Sequence, residues 1–431
     1  MMPVYRTQSQ KLLLAMQVFM VLLGLGWMLG LFSTSPSAVA VSAVRGRQGA
    51  IAEDVKLKGG WRKEDFAKPP RMMNVVITGG AGYIGSHMAL LLLDQGNYNV
   101  TILDNLSRSS ISTIERLNYH AAAEGMQDRL HYTFAELEDQ PLVTKILKAG
   151  STDLVLHFAG NAYVGESMKF PELYKRNITV TTQHLVDAML DAKVPYLVYS
   201  SSCATYGNVE KLPITELSPQ KPISPYGQAK LDAEKAIIKA VKQNPGAFSA
   251  VALRYFNVVG VDSKLRTGPI LTHKAQHDYP RILDAIFDVV EGTRPKIEIA
   301  GDKFPTRDGT AVRDYVHVSD LVAAHLAAFK SFETSTFEAF NIGTGTGLTV
   351  KEILAVVEKV TGKTVEKVIT EQRPGDASEL VSSADKLNKL TGWKAKYGSV
   401  SDIVTTQWKW RLKLKREADK VGGKAEWEWR Y

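Results

Sequence analysis

The feature that most constrains this chain is an apolar strand that ends in glycines and turns straight into a helix. Residues 73–78 read MNVVIT, residues 78–85 read TGGAGYIG, and a helical pattern runs over 83–95. Gly79, Gly82 and Gly85 fall at that corner. Missing side chains let the backbone approach a pyrophosphate, and the N terminus of the following helix favours its charge. A glycine turn with no ligand is the plain alternative, but the strand–turn–helix setting is the one the anion-binding reading requires.

The pattern then repeats. Candidate strands fall at 99–103, 130–134, 153–158, 196–200 and 249–254, with helical stretches at 141–149, 171–192 and 226–242. Continuous apolar strands between helices predict a parallel sheet covered on both faces. The expected fold class is α/β: a Rossmann-like doubly wound parallel sheet over 72–258, with its ligand crevice at the carboxyl ends of the strands. Beyond 258 the pattern is irregular, with loops at 260–280 and 300–314 and helical segments at 281–291, 318–331 and 349–361. This predicts a smaller C-terminal α/β substrate domain over 259–410.

The flanks read differently. Residues 12–32 hold no charge, and a helix of that length reaches about 31 Å, the thickness of a bilayer core. Arg6 and Lys11 precede the run. Positive flanks favour the cytosol, so the expectation is a cytosolic tail at 1–11, a transmembrane signal anchor at 12–32, a stem at 33–71 and a lumenal body. The rival is a signal peptide cleaved after Ala38-Val39-Ala40, although the run exceeds a signal core of about 7–15 residues. A plastid leader is a third reading. Residues 411–431, of mixed charge, read as a solvated tail.

The net charge of +8 does not make this a nucleic-acid binder. Residues 1–71 carry +6 and residues 411–431 carry +3, which leaves −1 on 72–410. A basic excess confined to the flanks argues against a folded binding face. The single cysteine, Cys203, excludes an intrachain disulfide and reads as a buried space-filler.

Asp104 stands just past the second strand, 25 residues beyond Gly79. A carboxylate there accepts from ribose hydroxyls and repels a 2′-phosphate, which favours NAD over NADP. Arg108 nearby argues the other way. Phe158-Ala159-Gly160 closes the fourth strand and suits the adenosine side. Asn177 reads either as a polar group near the nicotinamide or as a buried asparagine satisfied by backbone.

Tyr226 and Lys230 lie one helical turn apart in SPYGQAK, and so on one face. A phenol is a poor base at neutral pH, with an ordinary pKa of about 10. A neighbouring ammonium stabilises the phenolate and lowers that value. Ser202, in SSSCATYG, can bridge the phenol and a substrate hydroxyl. Beside a nicotinamide, this set makes an oxidation site for a secondary alcohol.

Residues 72–410 resemble the extended short-chain dehydrogenase/reductases, and within them the UDP-sugar 4-epimerases. The runs that carry the resemblance are TGGAGYIGSH (78–87), HFAGNAYVGES (157–167), SSSCATYGN (200–208), PYGQAK (225–230), LRYFNVVG (253–260), DGTAVRDYVHVSDL (308–321), NIGTGTG (341–347) and RPGD (373–376). The CATYG and AYVGES runs and the N-terminal anchor are most similar to the Golgi UDP-arabinose (UDP-xylose) 4-epimerases; UDP-glucose 4-epimerases come second.

The resemblance implies a bound NAD that is regenerated at each turnover, no metal, a homodimer, and a single-pass type II Golgi protein. It implies that Tyr226 takes the proton from the sugar 4-hydroxyl, that Lys230 also holds the nicotinamide ribose, and that Ser202 hydrogen-bonds the reacting oxygen. It extends the NAD contacts to Tyr83, Ile84, Asn105, Glu136, Leu137, Ser200, Tyr255 and Phe256. It gives the UDP-sugar Asn257, Arg281, Arg313, Arg373 and Asp376. Arginine suits a diphosphate through its planar fork of donors. The plain alternatives are an ion pair with Asp314 or Asp320 for Arg313, and a turn role for Asp376.

Some positions depart from the pattern. Asn161-Ala162 replaces the Leu-Lys of UDP-glucose epimerases, and Glu136-Leu137 replaces an adenine-side Asp-Ile. Loop 261–280 fits neither relative, and Leu380 stands where bulk near the sugar is limited. Sister dehydratases carry an acid before their Tyr-Gly; here that place holds Cys203-Ala204, which disfavours elimination. The remaining rival from another class is a non-catalytic NAD-binding module. Such relatives often lose the Tyr-Lys pair, which is intact here.

Overall fold

A computed structural model describes residues 71–270, 278–334, 337–373 and 375–420. The expected tail, anchor and stem up to residue 70 lie outside the described residues, as do 271–277 and 421–431.

Six strands come in turn from the first part of the chain: β1 (Met73–Thr78), β2 (Tyr98–Asp104), β3 (Leu130–Phe134), β4 (Leu154–His157), β5 (Tyr196–Ser202) and β6 (Ser249–Tyr255). Every residue of β4 and β5 is buried, as expected of strands covered on both faces. Alternation along β1 feeds two cores. Val75 and Ile77 pack with Met88, Leu117 and Leu321 on one face, whereas Val76 packs with Val143, Leu185 and Ala229 on the other. Helices Tyr83–Gln95, Ile111–Ala123 and Val318–Ala328 thus cover one side, and Gln140–Ala149, Thr181–Asp191 and Pro225–Gln243 cover the other.

Later strands are β7 (Asn257–Val259), β8 (Ile297–Ala300), β9 (Val312–His317), β10 (Phe337–Ile342), β11 (Gly347–Thr349), β12 (Lys367–Thr370) and β13 (Glu379–Leu380). The main sheet has seven strands in the order β10-β6-β5-β4-β1-β2-β3, all paired in parallel. The order reverses beside β1, which opens a crevice above the carboxyl ends of β1 and β4. A smaller sheet, in which β9 pairs with β7, β11 and β13, and a two-stranded β8–β12 sheet build the second half.

Three expectations need correction. The sheet does not end at residue 258, because β10 pairs with β6 and helix Val318–Ala328 packs on helix Tyr83–Gln95. The stretch 171–192 is not one α-helix. It runs as Pro171–Tyr174, a π-turn at Lys175–Val180 and then Thr181–Asp191, and the π-turn carries Asn177. Residues 411–420 are no solvated extension, since they finish helix Val400–Lys420. Trp410 is fully buried there, and its Nε1 donates to the Pro269 carbonyl at 3.0 Å. Arg411 pairs with Glu291 and Asp288, and Lys413 donates to the Leu265 carbonyl.

This helix therefore pins both the 261–270 loop and helix Ile282–Glu291. Trp410→Ala is expected to destabilise the fold by about 3–5 kcal/mol, measured by chemical denaturation. Among the described residues, no helix is long and apolar enough to cross a membrane.

Candidate active site

The glycine corner is as tight as its sequence demands. Gly79 has φ +70°, and a Cβ there would lie 2.6 Å from the Ala159 amide nitrogen. A Cβ on Gly85 would lie 2.4 Å from the Gly79 carbonyl oxygen. Helix Tyr83–Gln95 starts at Gly82 with no side-chain cap and no acidic residue in its first turn. Its leading amides and its dipole are thus available to an anion. Asp104 is held in place from three directions. Its carboxylate accepts from the Ala81 amide at 3.0 Å, the Leu106 amide at 2.8 Å and the Ser109 hydroxyl at 2.9 Å. Burial raises its pKa. A close-approach corner, an uncapped helix start and a fixed carboxylate at the end of β2 fit a dinucleotide.

Other cofactor candidates meet one another. Asn105 donates to Glu136 at 2.8 Å. Asn177 accepts from the Asn161 amide at 2.7 Å, so it is satisfied by backbone while still facing the crevice. The Ser200 and Tyr255 hydroxyls hydrogen-bond each other.

Helix Pro225–Gln243 is capped by Ser224, whose hydroxyl accepts from the Gly227 amide at 3.1 Å. It carries Tyr226 and Lys230 on its buried face. Burial pushes the Tyr226 phenol up to about 12, while the Ser202 hydroxyl and the Arg281 guanidinium act to lower it. Lys230 departs from expectation. Its ammonium donates to the Ser200 carbonyl at 2.7 Å, lies 5.0 Å from the Tyr199 ring centroid, and is itself pulled down to about 7 by burial. Arg281, whose charge favours the phenolate, lies 4.9 Å from the Tyr83 ring centroid. Spacing along one helix put Lys230 near Tyr226 but could not say where its ammonium would point. Cys203 is buried, and its thiol is pushed up to about 12, so it is protonated at neutral pH.

On the far side, Arg313 pairs with neither proposed neighbour. Its guanidinium donates to Asp376 at 3.2 Å. Asp314 instead accepts from the backbone of Thr344, Gly345 and Ser382, and Asp320 from the amides of Lys396 and Tyr397. All the site residues singled out in the sequence, from Gly79 to Asp376, line one cavity of about 910 Å³. The sequence reading missed Tyr279, Arg294 and the β8 residues on the same wall. Loop 261–280 also reaches this wall through Gly268, Pro269, Ile270 and Tyr279.

Fold and site together define an α/β protein of the dinucleotide-binding, tyrosine-dependent class. The sequence profile of the family described as GDP-mannose 4,6 dehydratase matches residues 76–406. The chain belongs to that family, the short-chain-dehydrogenase type of epimerases. It is 41% identical over 342 residues to a probable UDP-arabinose 4-epimerase 3 of Oryza sativa, covering 79% of this chain and 83% of that one. UDP-arabinose 4-epimerase 1 of Arabidopsis thaliana matches at 41% over 79% of this chain and 80% of its own. Among solved structures, the UDP-glucose-4-epimerase of Stenotrophomonas maltophila, with bound NAD and formylated UDP-arabinopyranose, superposes with a TM-score of 0.74 at 34% identity. That match covers 80% of this chain and all of the other.

Proposed function

We propose that this chain is an NAD-dependent UDP-sugar 4-epimerase that interconverts UDP-xylose and UDP-L-arabinose through a 4-keto sugar. The observation that carries the reaction class is that Tyr226, Ser202 and Lys230 share one cavity with the glycine corner and with Arg313, Arg373 and Asp376. The UDP-arabinose 4-epimerases at 41% identity support the pentose.

When bound, a nicotinamide would supply the hydride acceptor and donor for the sugar C4, with the 4-keto sugar turning in the site between the two transfers so that the hydride returns to its opposite face. The chain's own residues do the rest. Tyr226 takes the 4-hydroxyl proton and later gives it back. Ser202 hydrogen-bonds that oxygen and the phenol. Lys230 holds the nicotinamide ribose, and Asp104 the adenosine ribose. Arg313 and Arg373 receive the diphosphate, for which Arg313 exchanges its Asp376 contact. Neither Cys203 nor Ala204 is an acid, which keeps the ketone from elimination.

The further reading is that residues 12–32 anchor the chain in a Golgi membrane with its body lumenal, supported by the uncharged run behind Arg6 and Lys11. The homodimer rests on the family resemblance.

The test is a coupled assay on UDP-xylose, UDP-arabinose, UDP-glucose and UDP-galactose, with NAD quantified after denaturation. The pentoses should be preferred about 10-fold or more in kcat/KM, the scale that one hydroxymethyl group can set. Faster hexose turnover would shift the assignment to UDP-glucose/UDP-galactose epimerisation. A protein that turns over none of them is a non-catalytic nucleotide-binding module.

A further inference from the structure

The loop after β2 and the segment after β4 flank the crevice from opposite sides, because β1 lies between those two strands. Arg108 comes from the first, four residues beyond Asp104. Glu166 comes from the second, on helix Val164–Lys169. Their side chains meet across the gap, with Arg108 donating to one Glu166 oxygen at 2.9 Å. The pair is well shielded, the two side chains being 20% and 6% exposed.

Glu166 is braced from below. Its other oxygen accepts from the Tyr174 hydroxyl at 2.7 Å, and that hydroxyl accepts from the Tyr163 amide at 3.1 Å. Tyr174 is fully buried and meets Tyr226 edge to face at 6.1 Å. Arg108 also lies 5.9 Å from the Tyr163 ring centroid. The contact is therefore an ion pair between the two banks of the crevice, seated on the wall that supports the catalytic phenol.

An enzyme that exchanges its nicotinamide at every turnover gains from an open crevice. One that regenerates it within the cycle gains from a closed one. We propose that the Arg108–Glu166 ion pair is a strap across the cofactor crevice and sets how long NAD remains bound. This rests on the epimerase reading. It also accounts for Arg108, whose position beside Asp104 otherwise argues for a 2′-phosphate: the guanidinium is directed to Glu166.

The experiment follows loss of NAD from purified holoenzyme in the presence of an NAD-degrading enzyme. The nucleotide that remains is quantified at intervals after denaturation. Glu166→Gln keeps shape and an acceptor for Tyr174, and Arg108→Met keeps an apolar stem. Each is expected to speed NAD loss by about 10- to 100-fold, the scale of one charge-assisted hydrogen bond. The double variant should be no faster than either single one, because both remove the same contact. Unchanged rates in the single variants, or a multiplicative effect in the double, would overturn the strap. If Glu166→Gln does not fold, Arg108→Met decides alone. Wild type that yields no NAD defeats the epimerase reading and the strap together. Wild type that holds NAD, with variants that hold it as long, defeats the strap only.

Discussion

Tyr226→Phe is expected to lower kcat by about 10²–10⁴-fold, the usual contribution of a positioned acid–base group, while NAD content stays at the wild-type level. The ring is buried and edge-on to Tyr174, so phenylalanine keeps the packing and removes only the hydroxyl. Ser202 still accepts from the Ala204 amide at 3.1 Å, so its own position survives. What disappears is the group that takes the 4-hydroxyl proton in the proposed mechanism. Burial holds the phenol near 12, and in the proposed mechanism the phenolate is the working form. Wild-type kcat should therefore rise with pH across the neutral range, and the residual rate of the variant should not. Single-turnover measurements on UDP-sugar with matched NAD loading check both points. A variant that retains a tenth or more of wild-type kcat would mean that the proton leaves by another route.

Much of this was legible in the sequence because the first half of the chain is regular. Residues 73–78 and 130–134 read as strands with the bounds they have, since each is a short apolar run between turn and helix signals. The second half hides its strands. β11 has three residues, β8 and β12 have four, and β13 has two, too few for a period to show. The return of β10 to the main sheet is a long-range pairing that no local pattern encodes.

The site divides in the same way. Motif spacing brought Tyr226, Lys230 and the glycines together, because they sit on a single helix and a single turn. Pairings between distant segments were not legible. Arg313 finds Asp376 and Arg108 finds Glu166 only once the strand order is known. The helical tail is hidden because its charges suggest solvent, whereas Arg411 pairs with a helix and Lys413 with a loop, both far away in sequence.

Gly85→Val is expected to yield a folded protein with NAD affinity reduced by at least about 100-fold and no epimerisation at ambient NAD, because the amide cradle and helix start that receive a pyrophosphate are both displaced. A Cβ at this position would lie 2.4 Å from the Gly79 carbonyl oxygen and 2.8 Å from the Gly80 Cα. Both are backbone atoms, so no side-chain rotation relieves the clash. The turn must open, and Gly79 cannot follow freely, because its own Cα faces the Ala159 backbone across the adjacent strand end. The cost in stability is that of overpacking, about 1–3 kcal/mol, which a sheet of seven parallel strands tolerates. Gly82→Ala supplies the graded comparison: its Cβ would lie 3.1 Å from the same carbonyl, so a smaller shift and a smaller loss of affinity are expected. Titration of the apoproteins with NAD, alongside thermal unfolding, separates lost binding from lost fold. If Gly85→Val binds NAD as wild type does, the corner is not the pyrophosphate site, and the orientation assigned to the whole crevice is wrong.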